Sequence, residues 1–204
     1  MIAKVLPSAP EIPDVERRKL LTYATAATGG LAIAGAAVPF VASLGPSESA
    51  KAAGAPVEAD VSSLAPVELK TVEWRGQPIW ILRRTPAMLS VLASLGTQLS
   101  DPDSRVESQQ PAYARNQTRS INPEVLVTIS LCTHLGCIPT YAPEPDSLQP
   151  GWPGGFYCPC HGSKFDLAGR VYRGSPAPTN LVIPPYRYEA DGRIAIGLDP
   201  GGAD

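Results

Sequence analysis

The sequence predicts a mainly antiparallel β domain that follows one N-terminal transmembrane helix. Three observations predict this fold class: a long uncharged stretch near the N-terminus, two hairpin signals after it, and many residues that interrupt helices. The 204 residues include 23 Pro and 18 Gly, so long helices are expected in one or two places at most. The 44% hydrophobic content excludes a mainly disordered chain. Since 17 basic residues balance 19 acidic ones, no broad basic surface is available to bind nucleic acid.

Residues 20–44 form the predicted membrane anchor. These 25 residues carry no charge, and a helix that rises about 1.5 Å per residue crosses a bilayer core of about 30 Å at this length. The polar residues 1–19 precede the anchor and end in the basic run RRK at 17–19. By the positive-inside rule, this run places the N-terminus in the cytoplasm and the rest of the chain across the membrane. Pro39 is expected to kink or end the helix near its far side.

Two other interpretations of residues 20–44 compete with the anchor. A cleaved secretory signal usually has an apolar region of about 7–15 residues, which is shorter. A buried helix of a soluble protein would carry polar residues on one face. The pair Arg17-Arg18 also resembles a twin-arginine export signal, which suits a domain that folds around a cofactor before export.

A linker and a globular domain follow. Residues 45–60 are small, polar and rich in Ala, Gly and Pro, as flexible linkers are, and an inert spacer is the plainer interpretation. Residues 61–204 form the predicted domain. It begins with a hairpin, because apolar runs at 69–74 and 79–83 flank the turn sequence RGQP.

The later elements of the domain are predicted in the same way. A short helix is expected at 86–95, capped by the preceding Thr and with Pro at its first position. Residues 100–121 are polar and aperiodic and predict a loop. The run VLVTISL at 125–131 predicts a buried strand. Residues 183–189 and 193–197 flank an Asp-Gly turn signal and predict a second hairpin.

The candidate metal ligands are concentrated in one part of the chain. All four Cys and both His lie between Cys132 and His161. They form two motifs, CTHLGC at 132–137 and CPCHGS at 158–163, and each places two Cys and one His on a tight, Gly-containing loop. A metal site usually takes four protein ligands, so six candidates leave two over. The most economical use of these two is a disulfide between one Cys of each loop, which export to an oxidising compartment permits.

Three interpretations of the two motifs were weighed. Structural zinc is usually held by Cys-x2-Cys pairs, a spacing that neither motif has. Disulfides alone leave unexplained why the only two His of the chain lie beside Cys. A Rieske [2Fe–2S] centre takes two Cys on one iron and two His on the other. This last chemistry uses one thiolate and one imidazole from each loop, and the sequence favours it.

Both motifs resemble the paired motifs of Rieske iron–sulfur proteins. The resemblance covers the whole chain, including the basic N-terminus, the single span, the linker and the stretch GSPAP at 174–178, which is similar to the family's proline loop. Among these proteins the chain is similar to the Rieske subunits of cytochrome bc complexes, the ubiquinol–cytochrome c reductases. The resemblance implies a Rieske-type β domain with a two-loop cluster-binding subdomain inserted at about 129–180.

The resemblance also implies a role for each residue of the motifs. Two thiolates on the inner iron and two imidazoles on the outer iron bind one [2Fe–2S] cluster: Cys132, Cys158, His134 and His161. Cys137 and Cys160 form a disulfide that ties the loops together. Ser163 donates a hydrogen bond to a bridging sulfide. Leu135 and Gly136 lie at the exposed tip that docks at a quinol pocket.

The function that the resemblance implies is electron transfer. His161 contacts the quinol as the catalytic residue and takes a proton, while one electron passes to the cluster and then to a c-type cytochrome. The implied partners are cytochrome b, a c-type cytochrome subunit, ubiquinol and membrane lipid, in a dimeric complex without nucleic acid. The implied location is the bacterial inner membrane, with a single pass and the Rieske head in the periplasm. On this interpretation residues 45–60 become a hinge.

Three other functions remain open from the sequence. The Rieske small subunit of a periplasmic molybdenum enzyme such as arsenite oxidase can share both the disulfide motif and a twin-arginine leader. Rieske ferredoxins and oxygenase components lack the extra Cys of each loop and are cytoplasmic, so Cys137, Cys160 and the leader argue against them. A non-redox binding module is the last alternative.

Phe165 is a departure from the family pattern. Many cytochrome bc Rieske proteins have Tyr two residues after the motif Ser, and its hydroxyl donates a hydrogen bond to a ligand thiolate, matched here to Cys132. The chain has Phe at this position. The resemblance therefore implies one missing donor and a lower reduction potential than in relatives with Tyr.

Overall fold

The computed structural model describes residues 14–45, 47 and 54–200. The chain divides into two compact units, the first ending at Glu48 and the second beginning at Ser49. Seven of the sixteen residues of the predicted linker, residues 46 and 48–53, lie outside the described residues.

The N-terminal unit contains one long helix, α1, at Val15–Ser43. It begins earlier than the predicted anchor because the Asp14 side chain caps it, accepting hydrogen bonds from the backbone N–H groups of Glu16 and Arg17 at 3.2 and 3.3 Å. Pro39 lies inside α1, so the expectation that it could end the helix is wrong. In the described part of the chain, α1 is the one helix long and apolar enough to cross a membrane.

The C-terminal unit is built from short antiparallel strands, which confirms the predicted fold class. Within residues 54–200 the strands are β1 Val57–Asp60, β2 Leu69–Trp74, β3 Gln77–Arg83, β4 Val125–Ile129, β5 Thr140–Ala142, β6 Gly155–Tyr157, β7 Lys164–Phe165, β8 Tyr186–Tyr188 and β9 Arg193–Ile196. They form three three-stranded sheets with the orders β1-β9-β8, β2-β3-β4 and β5-β6-β7. The helix α2 at Pro86–Ser94 follows β3 and is capped by Thr85, as predicted.

The domain begins before the predicted boundary at residue 61. Strand β1 pairs with β9 in the register Val57↔Ile196 to Asp60↔Arg193, so residues 57–60 belong to the domain and not to the linker. The sequence VEAD is too short and too polar to predict a strand, and the pairing with the distant β9 fixes its conformation.

Both predicted hairpins form, with small differences in their bounds. The first has a two-residue turn at Arg75–Gly76 instead of four residues, since Trp74 pairs with Gln77 and both turn residues have positive φ, 53° and 70°. In the second, β8 starts at Tyr186 because the two preceding prolines have no N–H to donate to a sheet. The predicted loop at 100–121 contains only short 3-10 turns.

The small sheet β5-β6-β7 was not predicted strand by strand. Its strands are two or three residues long, which leaves no periodic signal in the sequence. This sheet carries the two motifs, because residues 132–137 lie between β4 and β5 and residues 158–163 lie between β6 and β7. The Phe156 ring stacks on Trp80 of β3 with ring centroids 5.1 Å apart, and this contact joins the small sheet to the rest of the domain.

Candidate metal centre

Two loops with the same backbone hydrogen bonds form the candidate site. Loop 1 comprises residues 132–137 and loop 2 comprises residues 158–163. In each loop the N–H of the first residue donates to the carbonyl of the last at 2.8 Å, and the N–H of the fifth residue donates to the carbonyl of the first at 2.9 Å. The fifth residues are Gly136 and Gly162, whose positive φ values of 81° and 79° let the chain turn back. The two motifs are therefore one structural unit used twice.

A disulfide between Cys137 and Cys160 joins the two loops. This is the pair that the resemblance implied. The sulfur atoms of Cys137, Cys158 and Cys160 lie within 4.8 Å of one another, so the disulfide packs directly against the Cys158 thiol. Disulfide sulfurs are not available as thiolates, and the free thiols among the described residues are therefore Cys132 and Cys158.

The two free thiols lie side by side in the protein interior. Cys132 and Cys158 are each 2% exposed, and the Cys158 thiol interacts with the Cys132 thiol. Burial raises the pKa of the Cys158 thiol, and the neighbouring Cys132 adds to the effect. A bound metal cation would lower the pKa of such a thiol instead, because it stabilises the thiolate form.

The two imidazoles lie together on the outer side of the loops. The rings of His134 and His161 are perpendicular, with centroids 4.7 Å apart. His134 is half-buried, and its Nδ1 is buried without a hydrogen-bond partner among the described residues. His161 is exposed. A buried nitrogen that lacks a partner fits a metal ligand, and two thiols with two imidazoles are the donor set of a mixed Cys/His [2Fe–2S] cluster.

The proline loop at 174–178 lies against Ser163, the last residue of loop 2. The Ser163 hydroxyl is fully buried, and its oxygen accepts a hydrogen bond from the backbone N–H of Ala177 at 3.0 Å. Its own proton therefore remains free to donate. Loop 1 is fixed similarly, because the Thr133 hydroxyl donates to the carbonyl of Thr179 at 2.7 Å.

The tip of loop 1 presents apolar side chains to solvent. Leu135 is 72% exposed, and the neighbouring Gly136 is exposed as well, as expected of a docking surface. Ile138 is 56% exposed beside them, and the sequence analysis missed it. Its position directly after the last Cys of the motif was the available signal.

Comparison with known proteins matches both parts of the chain to families. Residues 56–187 match the family described as Rieske [2Fe-2S] domain. Residues 7–47 match the family described as Ubiquitinol-cytochrome C reductase Fe-S subunit TAT signal, in agreement with the twin-arginine signal predicted at Arg17-Arg18.

Individual relatives cover nearly the whole chain. The ubiquinol-cytochrome c reductase iron-sulfur subunit of Allochromatium vinosum is 57% identical over 189 residues, which are 92% of this chain and 91% of the relative. The subunit of the same name from Blastochloris viridis is 41% identical over 186 residues, with 90% and 94% covered. A chain of the solved structure of a hyperthermophilic respiratory complex III is 28% identical, with 86% and 98% covered and a TM-score of 0.45.

Proposed function

We propose, since this chain belongs to the Rieske iron–sulfur subunits of ubiquinol–cytochrome c reductase, that its C-terminal domain takes one electron from ubiquinol and passes it to a c-type cytochrome. The observation that carries the proposal is the pair of matching loops within a Rieske domain: a disulfide joins them, each carries one buried thiol, and their two imidazole rings are in contact. An oxidoreductase of this class needs a one-electron carrier at the protein surface, and these loops provide the place for it.

The proposed ligands are Cys132 and Cys158 on the inner iron, with His134 and His161 on the outer iron. Their burial supports this order, since the thiols are buried, His134 is half-buried and His161 is exposed. A bound [2Fe–2S] cluster supplies a one-electron carrier whose potential is high because neutral imidazoles replace two thiolates. The Ser163 hydroxyl, with its proton free, is the proposed donor to a bridging sulfide.

His161 is the proposed contact for the quinol. Its exposure leaves the imidazole accessible to a quinol hydroxyl, from which it is proposed to take a proton while a bound cluster would take the electron. One contact can then accept an electron and a proton from a quinol hydroxyl. The exposed tip with Leu135, Gly136 and Ile138 is the proposed docking surface at the quinol pocket of cytochrome b.

The proposed arrangement in the cell follows from the N-terminal unit. Helix α1 and the match to an export-signal family fit a membrane-anchored subunit. We place the N-terminus in the cytoplasm, α1 in the bacterial inner membrane and the head in the periplasm, because the basic residues precede the span. Cytochrome b, a c-type cytochrome and a second copy of the complex complete the proposed assembly.

Extraction of the native complex tests the proposal. The chain should co-purify with cytochrome b, with two irons and two acid-labile sulfides per chain and the paramagnetic signal of mixed Cys/His ligation on reduction. Co-purification with a molybdopterin subunit would assign the chain to the molybdenum enzymes instead. Stoichiometric zinc with no iron would overturn the proposal.

A stiffened linker should slow turnover. On the proposed function, the head must leave the quinol pocket to deliver its electron, and residues 45–60 contain the hinge. Prolines introduced within residues 50–56 fix φ and extend the linker, so we expect an unchanged cluster spectrum and slower reduction of cytochrome c. Serines at the same positions are the matched control and should leave turnover unchanged. If the proline variants turn over normally, this segment is an inert spacer.

Phe165→Tyr should raise the midpoint potential. Phe165 is fully buried in the same apolar core as Cys132 and Cys158, and Tyr there restores the hydroxyl donor that the resemblance matches to the Cys132 sulfur. A charge-assisted hydrogen bond contributes about 1.5 kcal/mol, and about 1.4 kcal/mol corresponds to 59 mV, so the expected rise is about 60 mV. Redox titration of the full-length protein measures it.

The control for this substitution is Phe156→Tyr. Phe156 pairs with Phe165 across β6 and β7 and is equally buried. The Phe156→Tyr substitution therefore adds the same hydroxyl group at a different place in the core. We expect its midpoint potential to match that of the wild type. An unchanged or lower potential in the Phe165 variant, with the cluster intact, would contradict the argument.

A further inference from the structure

Three buried arginines surround one turn behind loop 2. This turn, residues 166–170, follows β7 and begins three residues after Ser163. Arg84, Arg119 and Arg170 are 2%, 0% and 1% exposed. Arginine is rarely buried so fully without a carboxylate partner, so three such side chains at one turn need an explanation.

Two of the arginines bind the backbone of this turn from other parts of the domain. The Nη1 of Arg84 donates to the carbonyl of Leu167 at 3.1 Å. The Nη1 of Arg119 donates to the carbonyls of Ala168 and Gly169 at 3.3 and 3.4 Å. Gly169 has a φ of 71°, and a Cβ there would lie 3.3 Å from the same guanidinium. The turn therefore provides carbonyl acceptors for both guanidiniums, and the missing side chain of Gly169 leaves room for that of Arg119.

The buried charges at the turn do not cancel. The guanidinium of Arg170 pairs with Asp166 at 2.7 Å, and both groups are buried. Among the residues that the structure describes, Asp166 is the one fully buried carboxylate, so the buried groups alone carry a net charge of 3 − 1 = +2. The half-buried Asp101 also interacts with the Arg119 guanidinium and offsets part of this charge. Burial lowers the pKa of Arg84 and Arg119 to about 10, and both remain protonated at neutral pH.

Arg119 is kept at this position against its own conformational preference. Its φ of 50° lies in the left-handed region, which a long side chain rarely adopts. Its Nη2 is held by the carbonyl of Gln109 and by the Gln110 side chain, but its Nε is buried without a partner among residues 54–200. An apolar side chain would often be as stable in such a place or more so, so stability alone does not account for the charge.

The charges lie within electrostatic reach of the candidate metal centre. Leu167 and Ala168, whose carbonyls accept from Arg84 and Arg119, lie four and five positions after Ser163. An extended chain reaches at most about 3.6 Å per residue, which places both guanidiniums within about 25 Å of loop 2. Leu167 and Ala168 belong to the same buried core as Cys132 and Cys158. Charges separated by protein interior are screened by salt much less than exposed ones.

We propose that Arg84 and Arg119 raise the reduction potential of the centre through buried positive charge that the nearby carboxylates, Asp166 and Asp101, offset only in part. Reduction adds one negative charge at the loops, and fixed positive charge behind loop 2 lowers the free energy of that state. This inference rests on the proposed function, because it requires a redox centre at the loops. Arg84 and Arg119 act on the centre through space and contact neither quinol nor ligand in the proposal.

Redox titration of full-length charge variants tests the proposal. Arg84→Gln and Arg119→Gln should each lower the equilibrium constant for reduction about threefold, the effect of one unit charge about 25 Å away at an effective dielectric constant of about 20. Threefold is about 28 mV for one electron. Arg84→Lys and Arg119→Lys keep the charge and should retain most of the potential. Arg105→Gln is the matched control, since it removes an exposed cation paired with Asp103 and should leave the potential unchanged.

If the Gln variants lose the centre, a variant that removes a negative charge still tests the proposal, because it should shift the potential in the opposite direction. Asp166→Asn removes the one buried anion and should raise the potential, while its side-chain oxygen can still accept the N–H groups of Ala168 and Arg170. If the Lys and Gln variants shift the reduction potential equally, the charge is not the cause, and Arg84 and Arg119 would act through their hydrogen bonds only. Unchanged potentials with an intact spectrum would refute the proposal. A wild-type protein without the centre would refute the proposed function instead.

Discussion

Replacing any proposed ligand is expected to abolish the iron–sulfur centre. The sharpest case is His161→Ala, because this ring is exposed and packs edge-to-face on His134, so little of the fold depends on it. The same loss is expected for His134→Ala, Cys132→Ser and Cys158→Ser. Iron, acid-labile sulfide and the paramagnetic signal of the reduced protein should all fall to background, because the protein supplies four ligands and no spare ones.

Leu135→Ala is the matched control for the ligand variants. Leu135 neighbours His134 in loop 1, is 72% exposed, and offers no donor atom to a metal. The control should keep full iron and sulfide content and its spectrum, while weakening turnover with quinol through the docking surface. A His161 variant that retains the wild-type signal would show that the ligand set is wrong.

Burial of the proposed thiol ligands explains what remains after cluster loss. Because burial raises the pKa of Cys158, this thiol stays neutral without a metal and adds no unpaired charge to the core. Metal binding and folding are coupled in such sites. We therefore expect cluster-free variants to fold with a lower melting temperature, which circular dichroism can follow.

The sequence was sufficient for those parts of the fold that have local signals. The hairpin around Arg75–Gly76, the helix capped by Thr85 and the Asp-Gly hairpin all depend on residues close together in sequence. Strand β1 and the small sheet β5-β6-β7 depend on distant partners. Their strands are two to four residues long, and pairing and core packing decide their conformation, which no short window of sequence contains.

The sequence predicted which residues belong to the candidate site better than it predicted how they are arranged in space. The concentration of all four Cys and both His within residues 132–161 pointed to the proposed ligand loops. The assignment of Cys137 and Cys160 to a disulfide came from the resemblance, and the structure contains that bond. Composition could not show the buried arginines, because Arg84 and Arg119 resemble surface residues in a sequence and only the folded turn places them in the interior.

Loss of the Cys137–Cys160 disulfide is expected to destabilise the centre although neither residue is a proposed ligand. The bond joins residues 23 positions apart, and cross-linking a loop of this length stabilises a fold by about 3 kcal/mol in the chain-entropy model. Its sulfurs lie within 4.8 Å of the Cys158 sulfur, so loosening the loops moves a ligand directly. Cys137→Ser should therefore weaken or lose the cluster, and a chain of this size should lose about 6–12 °C in Tm.

The double variant Cys137→Ser/Cys160→Ser separates loss of the bond from the effect of a stray thiol. It leaves neither Cys of the disulfide as an unpaired thiol, so an equal loss of signal in the single and double variants assigns the effect to the missing bond. Cys160 is exposed, so a thiol reagent can reach it in the native protein. Native, unreduced protein should bind no reagent at these positions. Labelling of both Cys137 and Cys160 under those conditions would show that the bond is absent and that the loops are held together by the metal centre alone.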